Sequence, residues 1–268
     1  MVSEWIRALY RLQPHAIMPA PLAAVEQDVG VCDEYFRHGP NGEVVAAVVA
    51  SDSNVELVWA REGCLHLLVG LLKEVIERNR IKFLAMNWTR YPIRLEHFGF
   101  RLRGRYFRLI YNRHGHNPKA VLPGFGISGY RHQEDDEMAV ELIRTCYAGQ
   151  GIAISLKELA ELREKRFFDP ALWFWIVKQN SEEPCALAVS HHDTEVGEGW
   201  LDWVQVLPEF RGRGLGRMLV GECVSRLRKA KMITVSGSLD NPHRPSELYR
   251  KCGFSEHQEW FIMERSLS

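Results

Sequence analysis

Apolar residues recur at helix and strand spacings through the second half of the chain. Residues 135–149 carry them at helical spacing, which predicts a helix, and residues 155–167 open with Ser155 and Glu158, a capping box that predicts a second helix. Apolar runs predict strands at 172–179, 185–192, 200–207 and 232–239. The pattern adds an amphipathic helix over 214–229, a short helix over 245–251 and a final hairpin through "WFIMER".

The same order of elements occurs earlier in the chain. Residues 95–109 and 249–263 each contain Gly-Phe followed by an aromatic pair, at a shift of 154 residues. Residues 63–86 and 214–237 match at a shift of 151, each as a glycine-started helix followed by an apolar strand. We interpret this as a duplication, with domains at 1–115 and 128–268 joined through the segment 112–131, which is rich in Gly, Pro, Asn and His.

Composition narrows the class of protein. The chain has 268 residues, with 34 basic and 34 acidic side chains, which argues against a dedicated nucleic-acid or membrane-surface protein. It has no apolar run that could span a bilayer, and its start reads as a short amphipathic helix rather than a secretory signal. Six scattered cysteines without a CxxC pair indicate reduced thiols and a cytoplasmic location. "HHD" at 191–193 is expected in a strand-end loop rather than in a metal site.

The stretch "VQVLPEFRGRGLGRMLVGE" (204–222) carries the chemistry. A strand that ends in glycines and feeds a helix presents free backbone N–H groups at the positive end of the helix dipole. Arg211, Arg213 and Arg217 add charge, so a phosphate or pyrophosphate is the expected guest. The sequence has no Gly-Lys-Ser/Thr for a nucleotide-triphosphate loop, and the glycine spacing fails the dinucleotide fingerprint.

The pattern R-x-x-G-x-G at Arg211, Gly214 and Gly216, with "LYRKCGF" at 248–254, resembles the GCN5-related N-acetyltransferase (GNAT) superfamily over residues 130–266. The resemblance implies an α/β (α+β) chain of two tandem GNAT folds, each a mixed, mostly antiparallel sheet flanked by helices. It implies acetyl-CoA as co-substrate, without a metal, with the pantetheine arm between strands 200–207 and 232–239. The cofactor-binding residues it implies are Val204, Val206, Arg211, Gly212, Arg213, Gly214, Leu215, Gly216, Arg217 and Asn241.

The first half would be a degenerate copy. The repeat sets Ala60 opposite Arg211, Leu65 opposite Gly216 and Leu95 opposite Tyr249, and it retains Gly63 opposite Gly214. A leucine side chain at the head of the helix fills space where backbone amides would face phosphate. We therefore expect the first half to bind CoA poorly or not at all.

Catalysis requires a proton donor for the leaving thiolate, a base for the amine and support for the oxyanion. Tyr249 occupies the position of the family's proton-donating tyrosine, with a packing role as the alternative. Asp202 is the candidate base because a mid-strand carboxylate is costly unless it is paired or functional. Strict alternation would put Asp202 on one face with Trp200 and Val204. Two alternatives for the base are Glu198, which is expected to be solvated, and a water wire without a single base. The alternative role for Asp202 is a structural pairing with a buried arginine.

The implied activity is direct transfer, in a ternary complex, of the acetyl group from the CoA thioester to an amine of a small molecule or peptide. A backbone N–H near Val204–Val206 would support the oxyanion. Asn241 lies eight residues before Tyr249 and a proline occupies position 245, a departure that weakens the family role of Asn241. The aromatic residues Trp173, Trp175, Trp200 and Trp203 line either an acceptor pocket or the core.

Two other functions stay open: a non-catalytic acyl-CoA sensor or interaction module, and an acceptor scaffold around the basic segment 100–116. That segment is expected to be an edge hairpin with a solvated charged face rather than a patch that steers an acidic acceptor or RNA. No membrane partner is expected and nucleic acid is disfavoured, while a homodimer is left open.

Overall fold

The chain folds into two compact units whose segments interleave in the sequence. The structure, a computed structural model, describes residues 2–28, 32–51, 53–112, 122–150 and 152–266. The first unit contains Met1–Leu109, Ser236–Ser246 and Glu256–Ser268, and the second contains Ile110–Val235 and Glu247–Ser255. The domains predicted at 1–115 and 128–268 follow the repeat and stay a prediction; the compact units differ from them because two C-terminal segments belong to the first unit.

The elements up to residue 111 are three helices, a helix between strands and five strands. They are α1 (Glu4–Leu12), α2 (Pro14–Ile17), α3 (Leu22–Asp28), β1 (Asp33–His38), β2 (Val44–Ser51), β3 (Asn54–Ala60), α4 (Leu65–Arg78), β4 (Phe83–Asn87) and β5 (Arg101–Tyr111). The elements that follow are β6 (Phe125–Gly129), α5 (Asp136–Cys146), α6 (Leu156–Arg163), β7 (Trp173–Lys178), β8 (Pro184–Asp193), β9 (Glu198–Val206), α7 (Leu215–Arg226), β10 (Met232–Ser238), α8 (Pro245–Lys251) and β11 (Phe254–Glu264).

Each unit has a mixed sheet in which antiparallel pairs predominate. The strand order is β1-β2-β3-β4-β11-β5 in the first unit and β10-β9-β8-β7-β6 in the second. In the first unit β3 and β4 are parallel, as are β9 and β10 in the second. Helix α4 packs on β1, β2 and β3, while α5 and α7 pack on β8 and β9. The predicted fold class, mixed and mostly antiparallel sheets flanked by helices, is confirmed.

Local sequence accounts for where helices begin. Ser155 accepts a hydrogen bond from the backbone N–H of Glu158, whose side chain reaches back to Ser155, so the predicted capping box is present. Apolar side chains at helical spacing then bury one face of α4 and so anchor the helix to its sheet: Leu68, Leu71, Leu72, Val75 and Ile76. No helix among the described residues combines the length and the apolar character that a bilayer span requires.

Both predicted terminal hairpins are wrong, because each is a single strand of 11 residues, β5 and β11. Gly104 lies inside β5 without a turn, and Glu256 takes a positive φ of 52° in β11, which marks a local irregularity in a continuing strand. The predicted join is also more ordered than expected, since β6 within it pairs with β7. Residues 113–121 of that join lie outside the described residues.

Candidate active site

A glycine-started helix follows the central strand of the second unit. Gly214 caps α7 with φ 89° and ψ −3°, a left-handed conformation that favours glycine, and no side chain among the described residues caps the helix there. The first amides of α7 are therefore left without a side-chain acceptor, as an anion site at a helix N-terminus requires. Gly212, in the same turn, is exposed, and Leu215 is buried as the first helical residue.

Gly216 lies where α7 and α8 approach each other closely. A Cβ at this position would lie 3.0 Å from Cδ2 of Leu248, the residue before Tyr249 in α8. The first turn of α7 therefore packs directly against the helix that carries the candidate proton donor. A side chain at 216 would therefore press on the end of the Leu248 side chain.

The three arginines of the turn play different parts. The Arg211 guanidinium donates from Nε to the carbonyl of Val206 and from Nη2 to the carbonyl of Cys146, both at 3.1 Å. Arg211 thus braces the strand end and the turn with its own hydrogen bonds. Arg213 and Arg217 are exposed, with the Arg213 guanidinium 5.4 Å from the centre of the Phe210 ring. These two residues are the charges best able to meet a ligand.

Strand β9 changes its pairing at Asp202. Against β8, Trp203 lies opposite Val189 and Leu201 lies opposite Ser190, so Asp202 is the extra residue of a β-bulge. The predicted strict alternation of faces is therefore wrong. The parallel register with β10 runs from Glu198 only as far as Leu201. The strands part from this point, and half-buried Val204 and Val206 lie beyond it.

The bulge aims Asp202 at a buried histidine. Asp202 Oδ2 lies 3.3 Å from Nε2 of His191, whose side chain is fully buried, while the carboxylate side chain is 36% exposed. His191 lies within β8 and not in the strand-end loop predicted for "HHD". Sequence reasoning missed this pair, although the β8–β9 hairpin, once aligned, would have brought the two residues together.

Glu198 is not solvated, contrary to expectation. It is 2% exposed, and it accepts a 2.5 Å hydrogen bond from Oγ1 of Thr234 on the parallel strand β10. Asp193, the last residue of "HHD", pairs with Arg166 at 2.9 Å. Among the described residues no group of three or more His, Cys, Asp and Glu side chains is placed to hold a metal ion.

Tyr249 lies buried in α8, edge-on to Phe254 with ring centres 5.7 Å apart. Burial raises the pKa of its phenol far above the usual range, and nearby Tyr147 and Asp202 add to the shift. Tyr147 accepts a 3.1 Å hydrogen bond from Nε2 of Gln205, and burial raises its pKa too, again with a contribution from Asp202. Both phenols therefore stay protonated at neutral pH.

The remaining candidates separate into core and surface. Trp173, Trp175 and Trp200 are core residues, whereas Trp203 is half-buried and lies edge-on to Tyr147, with ring centres 6.0 Å apart. Asn241 belongs to a segment of the first unit, where its Oδ1 accepts a 2.9 Å hydrogen bond from the backbone N–H of His243.

The basic segment at 100–116 is largely neutralised by acidic partners. Arg103 lies 3.7 Å from Glu264, and Arg105 lies 2.6 Å from Asp240. Arg108 is fully buried, where its Nη1 donates to backbone carbonyls of the N-terminal segment. Residues 113–116 lie outside the described residues. The described arginines do not form the free cationic surface that RNA would require.

Comparisons with known proteins agree with this geometry. Residues 170–256 match the acetyltransferase (GNAT) domain family. Mycothiol acetyltransferase of Tsukamurella paurometabola is 33% identical over 110 residues, which are 38% of this chain and 38% of that protein. The match thus spans well under half of that relative's length.

Two solved structures share the fold. A GCN5-related N-acetyltransferase from Sphaerobacter thermophilus superposes with a TM-score of 0.60 at 16% identity, covering 87% of this chain and 80% of that one. A tandem GNAT protein from the clavulanic acid biosynthesis pathway gives 0.58 at 15% identity, covering 99% and 95%. Residues 170–256 thus form an acetyltransferase (GNAT) domain. Over nearly its whole length the chain shares the fold of that tandem GNAT protein.

Proposed function

We propose that the protein is an acetyl-CoA-dependent N-acetyltransferase whose chemistry takes place in the second unit. The observation that carries the proposal is the glycine-started α7, which has no side-chain cap among the described residues and packs against the helix of Tyr249. The Asp202 carboxylate is near enough to contribute to the raised pKa of that tyrosine. The pyrophosphate of the substrate would meet the first amides of α7, with Arg213 and Arg217 adding charge. Val204 and Val206 would supply backbone groups to the pantetheine arm and the oxyanion.

In the proposed reaction the acetyl group passes directly from the thioester to the amine. The amine nitrogen attacks the thioester carbonyl carbon, a C–N bond forms, and the C–S bond breaks. Asp202 takes the proton that the amine loses, and the Tyr249 hydroxyl gives a proton to the departing sulfur. A 36% exposed carboxylate suits contact with an entering amine, and the raised pKa of the buried phenol means that its proton is present when the thiolate leaves.

The acceptor class follows from the relative's name and from the site. Mycothiol acetyltransferase is named for a small molecule, which favours a small-molecule amine over a peptide as the acceptor here. Half-buried Tyr147 and Trp203 beside Asp202 offer aromatic faces and a carboxylate, which suit a cationic amine before it loses its proton.

Thiol release from acetyl-CoA with a panel of small amines tests the proposal, read against an enzyme-only blank because the six cysteines are free. We expect amine-dependent release that Tyr249→Phe lowers by about 100-fold. Tyr130→Phe, which removes another buried hydroxyl of the second unit, should leave it unchanged. Because the pKa of Tyr249 is raised, the wild-type rate should show no alkaline decline from this group below about pH 10. Tight CoA binding without turnover on any amine would support the sensor instead.

A further inference from the structure

His191 is a fully buried imidazole surrounded by aromatic rings. Its ring centre lies 5.0 Å from that of Phe167, 5.1 Å from that of Trp200 and 6.1 Å from that of Trp173. The side chain is 0% exposed, and its polar contact is Nε2 to Asp202 Oδ2 at 3.3 Å. Burying a polar ring among aromatic side chains costs free energy, and the contact with Asp202 offsets part of that cost.

The other ring nitrogen fixes the tautomer. Nδ1 of His191 is buried and has no hydrogen-bond partner among the described residues. A proton on Nδ1 would be a buried, unsatisfied donor, whereas a proton on Nε2 is donated to the Asp202 carboxylate. The network therefore assigns the proton to Nε2.

We propose that His191 is a positioning residue that holds Asp202 as the base of the acetyl transfer. The inference rests on the proposed function. The Nε2–H bond to Oδ2 fixes the carboxylate where β9 bulges, and it leaves Oδ1 for the proton of the amine. A hydrogen bond donated to a carboxylate also stabilises its ionised form, which is the form that accepts a proton.

The groups that face Asp202 from neighbouring elements leave this role to the imidazole. His191 contacts Asp202 from β8, and the charge of the carboxylate contributes to the raised pKa values of Tyr147, in the loop after α5, and of Tyr249, in α8. Both phenols have raised pKa values and are neutral in the working range.

The test compares His191→Phe, which removes the donor, with His191→Gln, whose amide N–H lies near the position of Nε2. We expect His191→Phe to move the acid limb of the kcat/KM profile upward by about one pH unit and His191→Gln to restore it. In an Asp202→Asn background His191→Phe should change the pH dependence no further. Thermal melts report whether each variant folds.

The outcomes separate the two proposals. A His191→Phe profile that superimposes on the wild type, while Asp202→Asn abolishes the acid limb, would overturn the role of His191 and leave the acetyltransferase proposal standing. Absence of amine-dependent release by the wild type would overturn both. Nitrogen-15 spectra of histidine-labelled protein, with the His191 signal identified by its loss in His191→Gln, give a readout independent of turnover. A proton on Nδ1 would contradict the inference.

Discussion

The two units present the same strand, turn and helix, and differ in how the turn is built. In the second unit eight residues, Leu207–Gly214, separate β9 from α7, whereas four, Arg61–Cys64, separate β3 from α4. Gly63 keeps a positive φ of 78°, but the residue that caps α4 is Cys64, and Leu65 at the head of the helix is 38% exposed. A turn of half the length has fewer amides with which to surround a diphosphate.

The shorter turn also corrects the sequence alignment. A constant shift of 151 sets Ala60 opposite Arg211, yet Ala60 is the buried last residue of β3, whereas Arg211 lies in the turn. The bulges give the structural match: Glu56 is the extra residue of β3, as Asp202 is of β9. Glu56 accepts a 3.0 Å hydrogen bond from Oγ of Ser51. The first unit therefore retains the bulge and its acidic residue but has a hydroxyl partner instead of an imidazole.

In the first unit, the backbone groups at the end of β3 are hydrogen-bonded by a side chain of the same unit. The Tyr91 hydroxyl accepts from the backbone N–H of Ala60 at 3.0 Å and donates to its carbonyl at 3.1 Å. Tyr91 is 6% exposed and belongs to the apolar core with Ile93 and Leu95. Backbone groups that a pantetheine arm would use are thus satisfied by the protein itself. We propose that loss of CoA binding in this copy follows from an internal partner as much as from the missing glycines.

The largest expected effect distinguishes Gly214 from Gly63, the glycines of positive φ near the ends of the two turns. Gly214→Glu puts a carboxylate and a strained backbone where the diphosphate would lie, and CoA affinity should fall by more than about 100-fold. Gly63→Glu is the matched control, since its φ is also positive and a Cβ there meets nothing within 4 Å. It should leave affinity unchanged. Calorimetric titration with CoA checks both variants, and an equal loss in each would contradict the assignment to the second unit.

The acidic residues at the two β-bulges, Asp202 and Glu56, provide the next comparison. Asp202→Asn should lower kcat by about 100-fold and remove the acid limb of the pH–rate profile, because an amide accepts no proton in this range. Glu56→Gln should change neither. Steady-state thiol release measured from about pH 3, below the ordinary pKa of an aspartate, up to about pH 9 shows the effect. An unaltered profile in Asp202→Asn would mean that a water wire, and not Asp202, accepts the proton of the amine.

Tyr91→Phe tests the closed edge of the first unit. Loss of the two hydrogen bonds to Ala60 leaves a buried N–H and C=O unsatisfied, so unfolding free energy should fall by about 2 kcal/mol. Denaturant titration measures it. CoA stoichiometry should remain one per chain, and a second site appearing in this variant would mean that Tyr91 alone had closed the first copy.

Local signals made several parts of the molecule predictable. The helix at 245–251, the Ser155 cap and the order of β9, turn and α7 depend on neighbours in sequence, and the structure has them as predicted. The bulge at Asp202 and the burial of Glu198 depend on cross-strand register, which no local pattern records. The hairpin predicted for 100–116 could not be told from a single strand, because a glycine inside a strand, such as Gly104, and a glycine in a hairpin turn give the same local pattern.

The smallest expected effect concerns the exposed arginines. Arg217 lies in the first turn of α7 and is solvated, so Arg217→Ala should weaken CoA binding only about threefold. The loss should shrink as salt is raised, because ions screen an exposed charge from the diphosphate. Arg61→Ala removes a comparable exposed charge in the first turn, where Arg61 lies 3.3 Å from Glu43, and should have no effect on CoA. Titrations at low and high salt measure the difference. Equal weakening by the two substitutions would mean that the net charge of the protein, and not the position of Arg217 beside the turn, attracts the diphosphate. The difference between the two turns would then not explain the affinity for CoA.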